Sequence, residues 1–260
     1  MRRLLAILEK TGLAPLAFAL YERWQTRGGG DSMGSEGQRL PPVRLRFKVA
    51  GTANAEHFLD GGRKAAESLR ALLAAHGQPL EGQTPVLDFG CGCGRVLLHL
   101  KGLAELYGCD YNPELVRWCT QYLPGALVVR NNLAPPLPFE TGQFRLVYAL
   151  SVFTHMPEDL AGRWMAEMQR VLAPGGFVAF STHGEHYLPL LGEKERQTFL
   201  SGMPVVRFRN AAGANLCSAY HPRVYVERVL ARGLEPVAYE PRGALGNPQQ
   251  DLYLFRKPGG

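Results

Sequence analysis

The sequence predicts an α/β fold, a parallel sheet with helices on both faces. Three observations carry that prediction. From Pro85 onward, short apolar runs alternate with amphipathic stretches. One of those runs enters a glycine-rich turn, Gly90-Cys-Gly-Cys-Gly94. The next run ends on a carboxylate, Asp110, twenty residues after Gly90.

Residues 1–26 have helical periodicity in Leu4, Leu5, Ile7, Leu8, Leu13, Leu16, Ala17, Leu20 and Trp24, and read as an N-terminal helical appendage. Residues 27–40, with three glycines after Arg27, read as a flexible linker or lid hinge. Residues 41–84 hold Pro41-Pro42, a strand-like alternation over Val43–Val49 and a helix from Gly62 to His76, whose Ala65, Leu69, Leu72 and Leu73 face inward. Residues 85–260 form the core. Its strands are expected at Val86–Phe89, Ala104–Cys109, Ala126–Val129, Phe144–Leu150 and Phe177–Thr182. Helices are expected near 94–102, 113–122 and 157–172. A long insertion, 185–221, follows, with a helical piece over Glu193–Ser201 and strand-like pieces around Val205–Arg209 and Leu216–Tyr220. A helix over Pro222–Arg232 and strands at Leu234–Tyr239 and Asp251–Arg256 end the chain.

Composition narrows the class. With 260 residues, 46% of them hydrophobic and 20% charged, the chain is neither disordered nor fibrous. No apolar run reaches the roughly 18 to 20 residues that span a bilayer. The longest, Leu4–Leu20, is broken by Glu9 and Lys10 and makes a poor signal-peptide core. Five cysteines form no disulfide framework, so a reducing, cytoplasmic location is expected. The net charge of +6 divides as +4 in residues 1–46, −2 in 47–200 and +4 in 201–260. Without a polybasic run, that surplus does not argue for nucleic acid. It gives a modest hint of an anionic small-molecule acceptor.

Glycine at 90, 92 and 94 lets backbone approach a ligand and adopt positive φ. A helix expected beyond the turn would offer free N–H groups at its N-terminus. Asp110 stands where a carboxylate accepts from the ribose hydroxyls of an adenosine cofactor. The dinucleotide fingerprint needs Gly or Ala at position 95, and Arg95 stands there. Asp88 sets a second carboxylate against the turn, unsuited to a pyrophosphate but suited to the ammonium of an amino-acid tail.

These residues resemble those of the class I S-adenosylmethionine-dependent methyltransferases. The resemblance rests on Asp88-Phe-Gly-Cys-Gly-Cys-Gly94, Gly108-Cys-Asp-Tyr-Asn112, Pro136-Leu-Pro-Phe139 ahead of Phe144-Arg-Leu-Val147, and Arg170-Val-Leu-Ala-Pro-Gly-Gly176. It covers about 85 to 256. It implies a Rossmann-like seven-stranded sheet whose last strand, 251–256, is antiparallel, and S-adenosylmethionine as cofactor. By this resemblance Gly90, Gly92 and Gly94 border the methionine portion, Asp110 the ribose and Tyr111 the adenine. Asn131 or Asn132 takes the place of the usual adenine-contacting Asp, and Ser151 completes the cofactor set. One departure is Phe144-Arg145, where the family usually has Phe-Asp.

Methyl transfer needs an aligned nucleophile, excluded water and, for hydroxyl acceptors, removal of a proton. His155 and His183, each just beyond an expected strand end, are the candidate bases. His155 reads more readily as a structural residue that caps or packs beside the helix starting near Pro157, and His183 is weighed in the same way. Arg207, Arg209, Asn215, Tyr220 and His221 in the insertion are candidates to face an acceptor; a hairpin that only covers the sheet edge explains them equally well. Cys91 and Cys93 read as packed thiols, and His183-Gly-Glu-His186 lacks further ligands, so no metal is expected. The expected activity is methylation of oxygen or nitrogen on a sugar, glycolipid precursor or secondary metabolite. A non-catalytic cofactor-binding protein and aminopropyl transfer are the alternatives. A nucleic-acid or protein methyltransferase is less favoured, because Ala149-Leu-Ser-Val152 stands where the nucleic-acid enzymes have Asn/Asp-Pro-Pro-aromatic. For residues 1–26 a lid, a dimer contact and a peripheral membrane contact all remain open.

Overall fold

The computed structural model describes residues 14–27, 32–34, 37, 39–246 and 248–259. The periodicity read in Leu4, Leu5, Ile7, Leu8 and Leu13 lies outside the described residues. Helix α1 (Ala14–Gln25) is followed by two short strands, β1 (Ser32–Met33) and β2 (Arg39–Leu40), paired antiparallel. The segment read as linker therefore contains a small hairpin. Among the described residues no helix is long and apolar enough to cross a membrane.

Val43–Ala50 is helix α2, not the strand its alternation suggested. The alternation misleads because Arg46 belongs to the buried side: its guanidinium donates to Pro41 O at 2.7 Å and Ala53 O at 3.1 Å. With Arg46 buried, Val43, Arg46 and Phe47 share one helical face. Helix α3 (Ala55–Ala75) starts seven residues earlier than the sequence reading, on the N-cap Asn54, whose side chain accepts from His57 N. The Gly61-Gly62 pair does not break it. A Cβ at Gly62 would stand 2.4 Å from Arg95 O, so the glycine lets the chain beyond the turn pass against the helix. Leu69, Leu72 and Leu73 of α3 are fully buried, each contributing about 2 kcal/mol of apolar transfer.

The main sheet comprises β3 (Val86–Phe89), β4 (Leu106–Asp110), β5 (Ala126–Arg130), β6 (Phe144–Ala149), β7 (Leu172–Thr182), β10 (Glu235–Ala244) and β11 (Gln250–Arg256). Its order is β10-β11-β7-β6-β3-β4-β5. The pairings among β3 to β7 are parallel, and β11 runs antiparallel to both neighbours. Strand β7 begins at Leu172, five residues before the expected start, because the Pro174-Gly-Gly176 turn is taken into the strand with a register shift against β6. Side chains alternate across β3. Val86 and Asp88 face α3 and α4 (Pro113–Tyr122); Leu87 and Phe89 face α5 (Glu158–Val171), whose Trp164 ring lies 4.6 Å from that of Phe89.

No α-helix follows the glycine turn. Residues near 94–102 form turns around one 3₁₀ turn, Leu97–His99. Val96, Leu97, Leu98, Leu100 and Leu103 are nearly continuous rather than helically spaced, and the chain tightens into bonds such as His99 N to Val96 O. The expected helix N-terminus is therefore absent from the site. In the insertion, α6 (Glu193–Leu200) precedes an antiparallel pair, β8 (Val205–Arg207) and β9 (Ser218–Tyr220). A short helical segment, Arg223–Tyr225 continuing as a π-turn over Val226–Leu230, leads into β10.

Candidate active site

Strands β3, β4, β5 and β6 end at Phe89, Asp110, Arg130 and Ala149 on one edge of the sheet. Strand order reverses there, β4 and β5 lying to one side of β3 and β6 to the other, which opens a crevice. A cavity of about 290 Å³ occupies it. Its floor is the glycine turn and the strand ends. Phe18, Ala19 and Glu22 of α1 and Lys48 and Val49 of α2 form one wall; Ala211 and Gly213 to Leu216 of the insertion form another. Lys48 Nζ lies 3.7 Å from Glu22 Oε2 and ties α1 to α2. The opposite side of α1 leaves Leu16, Leu20 and Trp24 exposed.

Gly90, Gly92 and Gly94 all have positive φ, at 75°, 59° and 77°. Gly90 N and Cys91 N donate to Cys109 O, at 2.9 and 3.0 Å, which ties the turn to β4. Gly90 and Gly92 border the cavity; Gly94 does not. A Cβ at Gly94 would come within 2.5 Å of Leu123 Cδ2, so this glycine seats the turn on the chain after α4 instead of facing a ligand.

Asp110 is buried at the end of β4, where Oδ2 accepts from Gly92 N at 3.0 Å and Oδ1 from Asn112 N at 2.8 Å. Each oxygen retains a second lone pair for a hydroxyl. Burial raises its pKa from the ordinary carboxylate value, and the two backbone N–H groups pull it back. Asp88 is pushed up to about 7 by burial, helped by the charge of Asp110 and opposed by the Tyr148 hydroxyl and Arg95. Tyr111 lines the cavity and donates its hydroxyl to Gly213 O at 3.0 Å, joining β4 to the insertion. Asn131 and Asn132 line it too. Asn131 Nδ2 donates to Asn132 O at 2.6 Å, while its buried Oδ1 has no partner among the described residues.

Ser151, next in the wall, has φ 62°. Its N–H donates to Ser181 Oγ at 2.8 Å and its Oγ accepts from Gln250 Nε2 at 2.8 Å, which holds the unusual backbone. His155 lines the cavity from the 3₁₀ turn Phe153–His155. Nδ1 stands 2.7 Å from Cys217 O, and because a carbonyl only accepts, Nδ1 carries the proton and Nε2 the lone pair. Burial lowers the pKa of the ring below the ordinary histidine value, so the ring is neutral at pH 7.

Several expected residues stand elsewhere. His183 is outside the cavity wall; it is held by Ala219 O at 3.2 Å and packed 4.3 Å from the Tyr187 ring, and burial pushes its pKa down to about 3. Arg207 points back to Glu195 of α6, bonding it through Nε at 2.7 Å. Arg209 pairs with Glu158 at 2.7 Å at the start of α5. Tyr220 is buried beside His183 and under the Arg207 guanidinium. His221 is fully buried, at about 4. None of these five lines the cavity; of the insertion candidates Asn215 does, and its Nδ2 donates to Lys48 O at 2.7 Å. Residues that no motif marked include Phe18, Glu22, Lys48, Val49, Arg95 and Trp164. For Arg95 the signal was available, since it directly follows the turn.

The residues present fit an adenosine cofactor. Asp110 offers two acceptors to a diol, and the partnerless Asn131 Oδ1 is the acceptor an adenine amino group requires. Among the described residues no three of His, Cys, Asp and Glu converge on a metal position.

Residues 86–176 match the sequence profile of a family described as a methyltransferase domain. Phthiotriol/phenolphthiotriol dimycocerosates methyltransferase 1 of Mycobacterium ulcerans is 29% identical over 188 residues, which are 69% of this chain and 64% of that one. The malonyl-[acyl-carrier protein] O-methyltransferase of Methylococcus capsulatus is 34% identical over 134 residues, 47% of this chain and 45% of that one. The chain thus spans less than two thirds of the length of these relatives. An S-adenosylmethionine-dependent methyltransferase from Mesorhizobium loti superposes with a TM-score of 0.56 at 19% identity, covering 73% of this chain and 98% of that one. A protein from Pyrococcus horikoshii gives 0.56 at 19%, covering 74% and 88%. Those two likenesses establish the fold, with the antiparallel last strand between its neighbours. Glycine turn, strand-end carboxylate and sheet order are those of the class I methyltransferase fold, and residues 86–176 within it are similar to a methyltransferase domain.

Proposed function

We propose that the protein transfers a methyl group from S-adenosylmethionine to an oxygen or nitrogen of a small-molecule acceptor, with a hydroxyl favoured. The observation that carries this reading is His155: a neutral imidazole in the cavity wall, its tautomer set by Cys217 O, with Nε2 left to accept a proton. The cofactor, when bound, supplies a methyl group on a cationic sulfur. Asp110 and Asn131 hold the nucleoside end, and Asp88 with the backbone of Gly90 and Gly92 faces the amino-acid end. His155 takes the proton from the acceptor hydroxyl. Phe18, Val49, Leu115, Leu133 and Trp164 line the cavity with apolar surface and exclude water from it.

The relatives support oxygen as the acceptor atom, since one is named for O-methylation and another for a triol-derived lipid. Sugars, glycolipid precursors and secondary metabolites bearing hydroxyls are the first acceptors to offer. The test is methyl-labelled S-adenosylmethionine incubated with such a panel, the product being identified by mass spectrometry. Labelled ether product is expected, and His155→Ala is expected to lower kcat about 100-fold or more with cofactor affinity unchanged. Full turnover in His155→Ala overturns the assignment of the base.

A further inference from the structure

Helix α1 has two faces of different character. Phe18, Ala19 and Glu22 line the cavity, and the Tyr21 ring packs edge-on to that of Phe47, 6.1 Å away, which seats α1 on α2. On the far side, Leu16, Leu20 and Trp24 follow one another at four-residue spacing and form a single stripe. They are 61%, 61% and 62% exposed, so nothing in the fold covers them. Arg23, three residues after Leu20, falls on that same side and is exposed. Arg27 follows one turn later, where Arg27 N still bonds to Trp24 O at 3.3 Å, and is exposed too. Glu22 is the one acid of α1; it belongs to the cavity side and stands 3.7 Å from Lys48 Nζ.

The outer face is therefore apolar and cationic, with no acid among its described residues. Leucine and tryptophan flanked by arginine suit the boundary between lipid headgroups and acyl chains, where the rings and branches enter and the arginine stems reach back to phosphate. The sequence ahead of α1 keeps the same sign, with Arg2, Arg3 and Lys10 against Glu9. A second copy applied to this face would offer it more arginine and no acid.

We propose that this face of α1 docks the protein on an anionic lipid surface, Leu16, Leu20 and Trp24 entering the headgroup region and Arg23 and Arg27 meeting the phosphates. Docking does not depend on the methyl-transfer reading. Its consequence does: a helix is about 10 Å across, so the cavity on the other face of α1 lies that far from the lipid, and acceptors carried by a bilayer are the class it meets first.

Co-sedimentation of the full chain with vesicles tests the docking, using phosphatidylcholine alone and phosphatidylcholine with about a third phosphatidylglycerol. Binding to the anionic vesicles is expected to be on the order of 30-fold tighter, about fivefold for each of the two arginines, and to weaken with salt. The double variant Leu20→Ser, Trp24→Ser is expected to bind about tenfold more weakly or worse, and Arg23→Gln with Arg27→Gln to lose most of the preference for anionic lipid. One readout needs no variant. Trp118 and Trp164 are buried, so brominated acyl chains are expected to quench the fluorescence of Trp24. Failure of the wild type to bind anionic vesicles overturns the inference, as does full binding by the Leu20, Trp24 variant. A dimer in sedimentation that the same variant abolishes gives the face to a second copy and overturns it as well. Cofactor calorimetry without vesicles tests the methyl-transfer reading separately.

Discussion

Asp88 makes cofactor affinity depend on pH, and the size follows from its surroundings. The carboxyl is pushed up to about 7, mainly by burial, with Asp110 raising it and the Tyr148 hydroxyl and Arg95 lowering it. Only its ionised form attracts an ammonium, so the apparent Kd scales as one plus the ratio of protonated to ionised Asp88. Between pH 7.5 and pH 5.5 that factor grows about 25-fold, or about 2 kcal/mol. Burial holds the pKa of the neighbouring His155 below its ordinary value, and an α-ammonium stays largely protonated below about pH 7.7. Calorimetric titration with S-adenosylhomocysteine in steps of half a pH unit measures it. Affinity is expected to rise with pH and level off above 7, and Asp88→Asn to bind weakly with no such slope. A wild-type affinity that is flat, or that falls as pH rises, refutes the reasoning. Folding without ligand has the opposite sign. A raised carboxyl keeps its proton in the folded chain after the unfolded chain has lost it, so this group's stabilisation fades between about pH 4 and pH 7.

Three further outcomes are expected. Asn131→Ala should weaken S-adenosylhomocysteine about fivefold, the scale of one hydrogen bond to the partnerless Oδ1, and cost the free protein about 1 kcal/mol, since only the Nδ2 bond to Asn132 O is lost. Gly94→Ala meets both left-handed backbone and Leu123 at 2.5 Å, and should cost about 2–4 kcal/mol in denaturant unfolding. Gly102→Ala, with φ 81° and nothing within 4 Å, should cost only the backbone share of about 1 kcal/mol; equal losses would remove the packing argument. Arg207→Ala and Arg209→Ala should leave acceptor KM within twofold and shift stability by about 1 kcal/mol or less, since both arginines are spent on partly exposed pairs. A large rise in KM in either variant would return that residue to the acceptor site.

What could be read from the sequence was whatever a local rule governs. Strand β3 was placed at its observed bounds because an unbroken apolar run ends in glycines, and Asp110, Tyr111 and Asn131 follow from the ends of the next two strands. Val43–Ala50 was misread because period-two alternation was counted by residue type, and a buried Arg46 with backbone acceptors breaks that rule. The segment after the turn was misread because tertiary contact under α3, not helical spacing, shapes Val96 to Leu103. Much of the cavity was invisible for another reason. Phe18, Glu22, Lys48 and Val49 reach it from elements far apart in the chain, and no spacing rule links them to Gly90. Arg207 and Arg209 were placed on one face by alternation, but β8 ends at Arg207 and each arginine meets a separate acid.

The most direct test of the account is a calorimetric titration of the purified chain with S-adenosylhomocysteine, S-adenosylmethionine and NAD, repeated on Asp110→Ala. One saturable site per chain is expected for the first two, none for NAD, and a loss of at least tenfold in the variant, whose strand end can no longer accept from the ribose. Binding of NAD with neither form of the methyl donor bound would contradict the account, as would undiminished affinity in Asp110→Ala.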